Sequence, residues 1–117
     1  MPETFESLTV WKKSHQATMK IYKITKRFPK EELFGLTSQL RRSASSIPTN
    51  LAEGRSRKNK NEFKQFVNIA LGSCGETIYH LILSRDLGII SPMQFQEFSN
   101  DYNEINKMLN GLYTSLK

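Results

Sequence analysis

Hydrophobic positions recur along this chain at alternating spacings of three and four, the pattern of helices that each bury one face. Val10, Ser14, Ala17, Ile21, Ile24 and Phe28 mark the first stripe. Trp11, Thr18, Tyr22 and Thr25 widen it, and the lysines of the segment fall mostly elsewhere on the helix. Phe28-Pro29 predicts its end, because the residue before a proline is pushed out of helical geometry. Leu36, Leu40, Ala44, Ile47 and Leu51 mark a second stripe, with Pro48 inside it. A proline there removes one ladder hydrogen bond and crowds the preceding turn, at about 3 kcal/mol in a regular helix interior. The periodicity stays in phase across it, which predicts one kinked helix rather than two. Gly54 then offers a helix stop, followed by a basic loop, Arg55-Ser56-Arg57-Lys58.

Asn59 with Glu62 three residues later predicts the capped start of a third helix. Its inner face comprises Phe63, Val67, Leu71, Cys74, Ile78 and Leu81. Gly72 and Gly75 lie inside it, each costing about 1 kcal/mol relative to Ala, and predict a thin surface where a neighbouring backbone comes close. Ser91-Pro92-Met93-Gln94 opens a fourth helix with a cap, a first-turn proline and a capping-box glutamine. Phe95, Phe98, Tyr102, Ile105, Leu109, Leu112 and Leu116 then keep the cleanest heptad in the chain. Short links reach only antiparallel neighbours. The expected fold is therefore all-α: an antiparallel up-down-up-down four-helix bundle, its second helix kinked at Pro48. It forms a single domain over residues 1–117, with helices at about 9–28, 35–54, 60–87 and 92–116. Only residues 1–7 are expected to be loose.

At 117 residues such a chain removes roughly two-thirds of its unfolded surface from water, enough for a real core. The net charge of +6 is unevenly placed. Residues 1–64 carry 14 Lys and Arg against six Asp and Glu, and residues 65–117 carry three against five. Between Lys12 and Lys30 there are seven basic residues and no acid, a run able to attract nucleic acid, an acidic protein or an anionic membrane, or simply to solvate a helix face. The single cysteine, the absence of a signal-peptide pattern and the lack of any run of 18 apolar residues set the expectation of a cytoplasmic protein without membrane partners.

Candidate chemistry is sparse. A di-iron carboxylate bundle needs Glu-x-x-His motifs, whereas Lys12 stands three positions before His15 and Thr77 three before His80. Glu76 and His80, four apart, fit a surface pair better than a metal site. Cys74 lies on the apolar stripe of the third helix, where a small buried thiol is the simpler account than a nucleophile. Gly72-Ser-Cys-Gly75 matches a nucleic-acid-binding GxxG loop only formally, since it sits inside a helix. No phosphate-cradling GxxxxGK[ST] is present. The aromatics at heptad positions are core, while Trp11 and Tyr113 leave an interface role open. No metal, cofactor or enzymatic activity is expected.

The second helix carries the best remaining signal. Gln39, Arg42, Ser46, Asn50 and Glu53 form a polar stripe roughly 110° round from the apolar one, suited to a partner or to a bundle groove, or else to a solvated flank. Arg41 points to a different face.

The motifs Leu8-x-Val10-Trp11, Phe28-Pro29, Gly35-Leu-Thr-Ser-Gln-Leu-Arg-Arg42, Ser46-Ile-Pro-x-Asn50-x-Ala-Glu-Gly54 and Ala70-Leu-Gly-Ser, in this order and spacing, resemble the four-helix bundle proteins encoded in intervening sequences of bacterial 23S ribosomal RNA genes. The resemblance covers nearly the whole chain. It implies a small antiparallel bundle assembling as a homopentamer. A related group, the accessory variability determinant proteins of diversity-generating retroelements, shares the architecture, which implies by analogy a reverse-transcriptase-like partner or nucleic acid.

Two expectations follow. In the first, the protein is an oligomer binding ribosomal or other structured RNA through phosphate contacts from Arg55, Arg57, Lys58, Lys60 and Lys64, with Lys12, Lys13, Lys20 and Arg42 as a second tier. In the second, it is a scaffold or adaptor without nucleic-acid contact, in which Gln39, Arg42, Ser46, Asn50 and Glu53 join subunits and the basic residues solubilise.

Overall fold

The computed structural model describes residues 4–116. After a 3-10 turn at Phe5–Ser7, four helices follow: α1 (Thr9–Thr25), α2 (Leu36–Arg55), α3 (Lys60–Asp86) and α4 (Pro92–Ser115), with a second 3-10 turn, Lys30–Glu32, between α1 and α2. Each helix packs against its neighbours in the order α1, α2, α3, α4 and back to α1, while the diagonal pairs make no close backbone approach among the described residues. This is the expected antiparallel bundle, 45 × 23 × 21 Å in extent. The α2–α3 link lies at one end, with the α1–α2 and α3–α4 links at the other. By length and composition alone α3 would pass for a membrane-crossing helix; here its apolar stripe packs on α2 and α4.

The core is the one the spacing marks. All five apolar stripe positions of α2 are buried, as are Phe98, Tyr102, Ile105 and Leu109 of α4, with Phe95, Leu112 and Leu116 packed at its margin. Asn59 Oδ1 accepts from the Glu62 N–H at 2.8 Å. Ser91 and Gln94 form the complete capping box, at 3.0 and 2.8 Å. α3 ends where Gly88 takes φ +74°. The Ile89 and Gly88 N–H groups then donate back to Ser84 O and Arg85 O, both at 2.9 Å, closing the helix in a Schellman turn that a side chain would strain.

Four expectations change. α1 stops at Thr25, three residues early: Arg27 and Phe28 donate to Ile24 O and Thr25 O, tightening the last turn ahead of Pro29, and Phe28 still reaches the core. Phe5–Ser7 is ordered, with the Phe5 ring edge-on to Trp11 at 5.1 Å; residues 1–3 lie outside the described residues. Gly54 is no helix stop. It lies inside α2, where a Cβ would stand 2.7 Å from Phe66 Cβ and 2.9 Å from Phe63 Cδ1, so its smallness admits α3. Gly72 and Gly75 meet no neighbouring backbone within the chain: nothing on other elements lies within 4 Å of a Cβ at either, and both are exposed on α3.

Pro48 lies within a continuous α2. Without an N–H it leaves the Ala44 carbonyl without its ladder donor. The replacement comes from α1: Thr18 Oγ1 stands 3.2 Å from Ala44 O and 2.7 Å from Ser14 O, all buried. A second polar seam joins α2 to α3, where Thr77 Oγ1 lies 2.9 Å from Ser43 Oγ and Ser46 Oγ 2.8 Å from Ser73 Oγ.

Three buried polar atoms stay unmatched among the described residues, Arg55 Nε, His80 Nδ1 and the Tyr102 hydroxyl, and the last is the most deeply placed. The Tyr102 ring is fully buried, and its hydroxyl finds no hydrogen-bond partner among the described residues. Burial drives its pKa far above that of a free phenol, with Cys74 and Asp101 adding to the rise. Since a buried unpaired hydroxyl carries a desolvation penalty, Tyr102→Phe is expected to leave the melting temperature unchanged or raise it. A clear drop on thermal denaturation would show that the hydroxyl is satisfied.

Candidate nucleic-acid interface and the outer face of α2 and α3

The basic turn between α2 and α3 gathers five cations at one end of the bundle. Arg57 is the most constrained: its guanidinium lies 5.0 Å from the Phe66 ring centre and 3.1 Å from Glu53 Oε2, an exposed pair one helical turn back. Arg55 sits 5.9 Å from the Phe63 ring centre, its Nε buried and unpartnered among the described residues. Lys64 Nζ lies 4.7 Å over Tyr113. Lys58 and Lys60 are exposed and make no ion pair among the described residues. In the first turn of α3 Asn59 accepts from the Glu62 N–H and donates to the Glu62 side chain, so a carboxylate stands beside the cations at this end.

Two of the second-tier cations are engaged by α4 instead. Lys13 lies 3.6 Å from Asp101 and 3.3 Å from Glu104, and Lys20 3.1 Å from Asp101, tying α1 to α4. Lys12 is exposed. Arg42 is 13 residues before Arg55, about 20 Å along the helix. Its neighbour Arg41 does face elsewhere, donating from Nε to Thr25 Oγ1 at 2.8 Å and lying 4.8 Å over Tyr22.

The polar stripe of α2 divides in the same way. Ser46 and Asn50 serve the chain itself, Asn50 Nδ2 donating to Ser46 O at 2.8 Å and Ser46 meeting Ser73. Glu53 holds Arg57. Gln39 and Arg42 remain exposed. Arg42 borders a groove of about 350 Å³ between α2 and α3, lined by hydroxyls that include Ser45, Ser46 and Ser73, with Glu76 also on its wall. Neither Arg42 nor Glu76 has an ion-pair partner among the described residues. Beside this groove α3 presents Ile69, Gly72, Gly75 and Tyr79, all exposed. The sequence predicts a thin surface at these glycines without saying which way it faces; the signal for the outward face is the Ile69, Gly72, Glu76 and Tyr79 spacing, a helical stripe in its own right.

Catalytic equipment is thin. No group of three or more His, Cys, Asp and Glu among the described residues is placed to hold a metal. Burial lowers the His80 pKa against the opposing pull of Glu76. Cys74 is buried, its thiol 3.4 Å from Tyr102 O and its pKa pushed up to about 11 by desolvation. A thiol protonated below that value is a poor nucleophile. Iodoacetamide at neutral pH is expected to label Cys74 slowly in the native protein and quickly in denaturant, and equal rates by mass spectrometry would show the site open.

These features define a helical-bundle protein with a basic end, an exposed small-residue face on α3 and no assembled catalytic set among the described residues. Residues 6–111 match the family model described as 23S rRNA-intervening sequence protein, and the chain belongs to that family. A crystal structure of a protein with unknown function from the S23 ribosomal protein family of Bacteroides thetaiotaomicron has the same fold, at TM-score 0.84 and 31% identity over 90% of this chain and 95% of that one. No curated protein matches the sequence.

Proposed function

We propose that the protein binds structured nucleic acid, RNA foremost, through phosphate contacts at the basic turn between α2 and α3. The observation that carries this is the disposition of Arg55, Arg57, Lys58, Lys60 and Lys64 at one end of the bundle, where only Arg57 is ion-paired among the described residues. Arg57 and Lys64 are positioned over Phe66 and Tyr113, which lowers the entropy lost when they meet a phosphate. The family description, tied to an intervening sequence of ribosomal RNA, supports RNA as the first probe. Five phosphate contacts imply that affinity falls roughly a hundredfold to a thousandfold between about 50 and 200 mM salt. Fluorescence anisotropy with a ribosomal RNA hairpin is the test, comparing wild type with the variant in which Arg55, Arg57 and Lys58 are all Ala. The slope of log affinity against log salt is expected to fall by about 2–3 in the variant. Equal slopes, or binding that ignores salt, would refute the proposal.

A second reading, self-association as a scaffold, rests on the outward glycines of α3. An exposed helix interior gains nothing from Gly72 and Gly75, which cost about 1 kcal/mol each, unless another backbone comes close. A second copy seated there would meet Ile69 and Tyr79, with Arg42 and Glu76 available for pairing across the contact. Pentamers, as the family resemblance implies, would also multiply a modest basic patch by avidity. Gly72→Arg adds a Cβ that meets nothing within 4 Å on another element and is expected to reduce an oligomeric wild type to monomers in light scattering. A wild type already monomeric at micromolar concentration would remove this reading. A reverse-transcriptase-like partner on the same face, by analogy with accessory variability determinant proteins, would survive that result.

A further inference from the structure

We infer that the second half of α1 and its link to α2 form a docking groove for an acidic amphipathic helix of a partner protein. The surface lies toward the opposite end of the bundle from the basic turn. Thr18, Met19, Tyr22, Lys23 and Lys26 line a shallow, largely apolar groove of about 630 Å³. Lys26 also borders the adjoining hollow, whose wall includes Leu33, so the surface continues onto the link. Met19 is 61% exposed, Leu33 half exposed, and Phe34, at the end of the link, 93% exposed.

Charge selects the occupant. α1 contains no Asp or Glu, and of the lysines beside the groove only Lys20 is neutralised, by Asp101. Lys23, Lys26 and Lys30 have no ion pair among the described residues. Of the two acids on the link, Glu32 accepts from the Leu36 N–H at 3.1 Å at the start of α2, and Glu31 is exposed beside Lys30. This leaves Lys23 and Lys26, beyond the paired Lys20, as the cations nearest the groove. An apolar floor with unpaired cations along it matches a helix whose apolar stripe is flanked by Asp or Glu. Met19, unbranched and polarizable, adapts to such a stripe.

Three further points narrow the choice. The groove walls are helical, with no free strand edge for an extended peptide to extend, which leaves helix-in-groove docking. Nucleic acid has no aliphatic surface to cover Met19 and Leu33, and the Tyr22 ring already carries the Arg41 guanidinium at 4.8 Å, so one face is closed to base stacking. The bundle is 45 Å long and 23 × 21 Å across, so a guest helix of about four turns, roughly 21 Å, is within its length and about equal to its width.

The probe is a designed helical peptide about fourteen residues long, with Leu at spacings of three and four and Glu beside them, titrated into labelled full-length protein by NMR. Shift changes are expected at Met19, Tyr22, Lys23, Lys26 and Leu33. Replacing the peptide's Glu by Gln is expected to weaken binding about tenfold or more, and Lys23→Glu with Lys26→Glu to abolish it. A peptide carrying Lys in place of Glu is expected to bind that double variant, which separates recognition from damage to the fold. Absence of shifts, equal binding of the Gln peptide, or stronger binding to an RNA hairpin or to phosphatidylglycerol vesicles at these residues would overturn the inference. None of these outcomes bears on the Arg55–Lys58 test, which reads the other end of the molecule.

Discussion

Gly54→Ala is expected to destabilise the protein by about 1–3 kcal/mol, although the same change in an open helix interior gains about 1 kcal/mol. The added methyl would stand 2.7 Å from Phe66 Cβ and 2.9 Å from Phe63 Cδ1. The Phe63 ring can turn, but Phe66 Cβ is fixed to the α3 backbone, so relief requires α2 and α3 to move apart. That movement would stretch the Ser46–Ser73 and Ser43–Thr77 contacts, at 2.8 and 2.9 Å. Gly72→Ala is the control, since it adds the same methyl where nothing on another element lies within 4 Å. Urea denaturation should show a loss for Gly54→Ala and a gain or no change for Gly72→Ala in a monomer. Equal effects would mean that Gly54 is not a close-packing position.

The second large effect is expected at Thr18. Thr18→Val keeps the shape and removes the donor, leaving the buried Ala44 carbonyl without a hydrogen bond, at about 1–3 kcal/mol. The cost depends on Pro48, because any other residue there would supply the N–H that Ala44 O lacks. In a Pro48→Ala background Thr18→Val should therefore cost measurably less, and the double-mutant cycle should return a coupling of about 0.5–3 kcal/mol. An additive cycle would show that the hydroxyl serves only Ser14 O, which it also reaches at 2.7 Å.

These two positions show what could be read in advance. The core of α2, the heptad of α4 and the caps at Asn59 and Ser91 repeat at fixed short spacings, so local periodicity reveals them. Gly54 and Thr18 matter through contacts with another helix, and no local spacing encodes which carbonyl lies opposite a threonine. The glycines of α3 misled for the same reason: a small residue marks a close approach without saying on which side. The basic turn is visible because its cations fall within ten residues of one another, whereas the pairing of Lys13 and Lys20 with Asp101 and Glu104 joins segments far apart in the sequence. The polar stripe of α2 was legible as a stripe, but its division between Ser46 and Asn50, turned inward, and Arg42, left outside, depends on where α3 lies.

The unequal links carry a consequence for how the chain comes together. α2 and α3 are joined by four residues, Ser56–Asn59, and pack along Gly54 and the serine seam, whereas α1 reaches α2 through ten residues anchored mainly by Phe28. Loop closure favours the two short reversals, of four residues between α2 and α3 and five between α3 and α4, over the longer one. The glycine and serine seam favours α2–α3 of the two as the folding nucleus, with α1 and α4 condensing on either side. α1 starts and α4 finishes at the same end of the bundle, and these two helices are neighbours. The chain could accordingly be re-spliced there and opened near Phe34 without breaking the nucleus, while a cut at Arg57 would sever it. The order of the helices around the core is thus more fundamental to this protein than the point at which its chain begins.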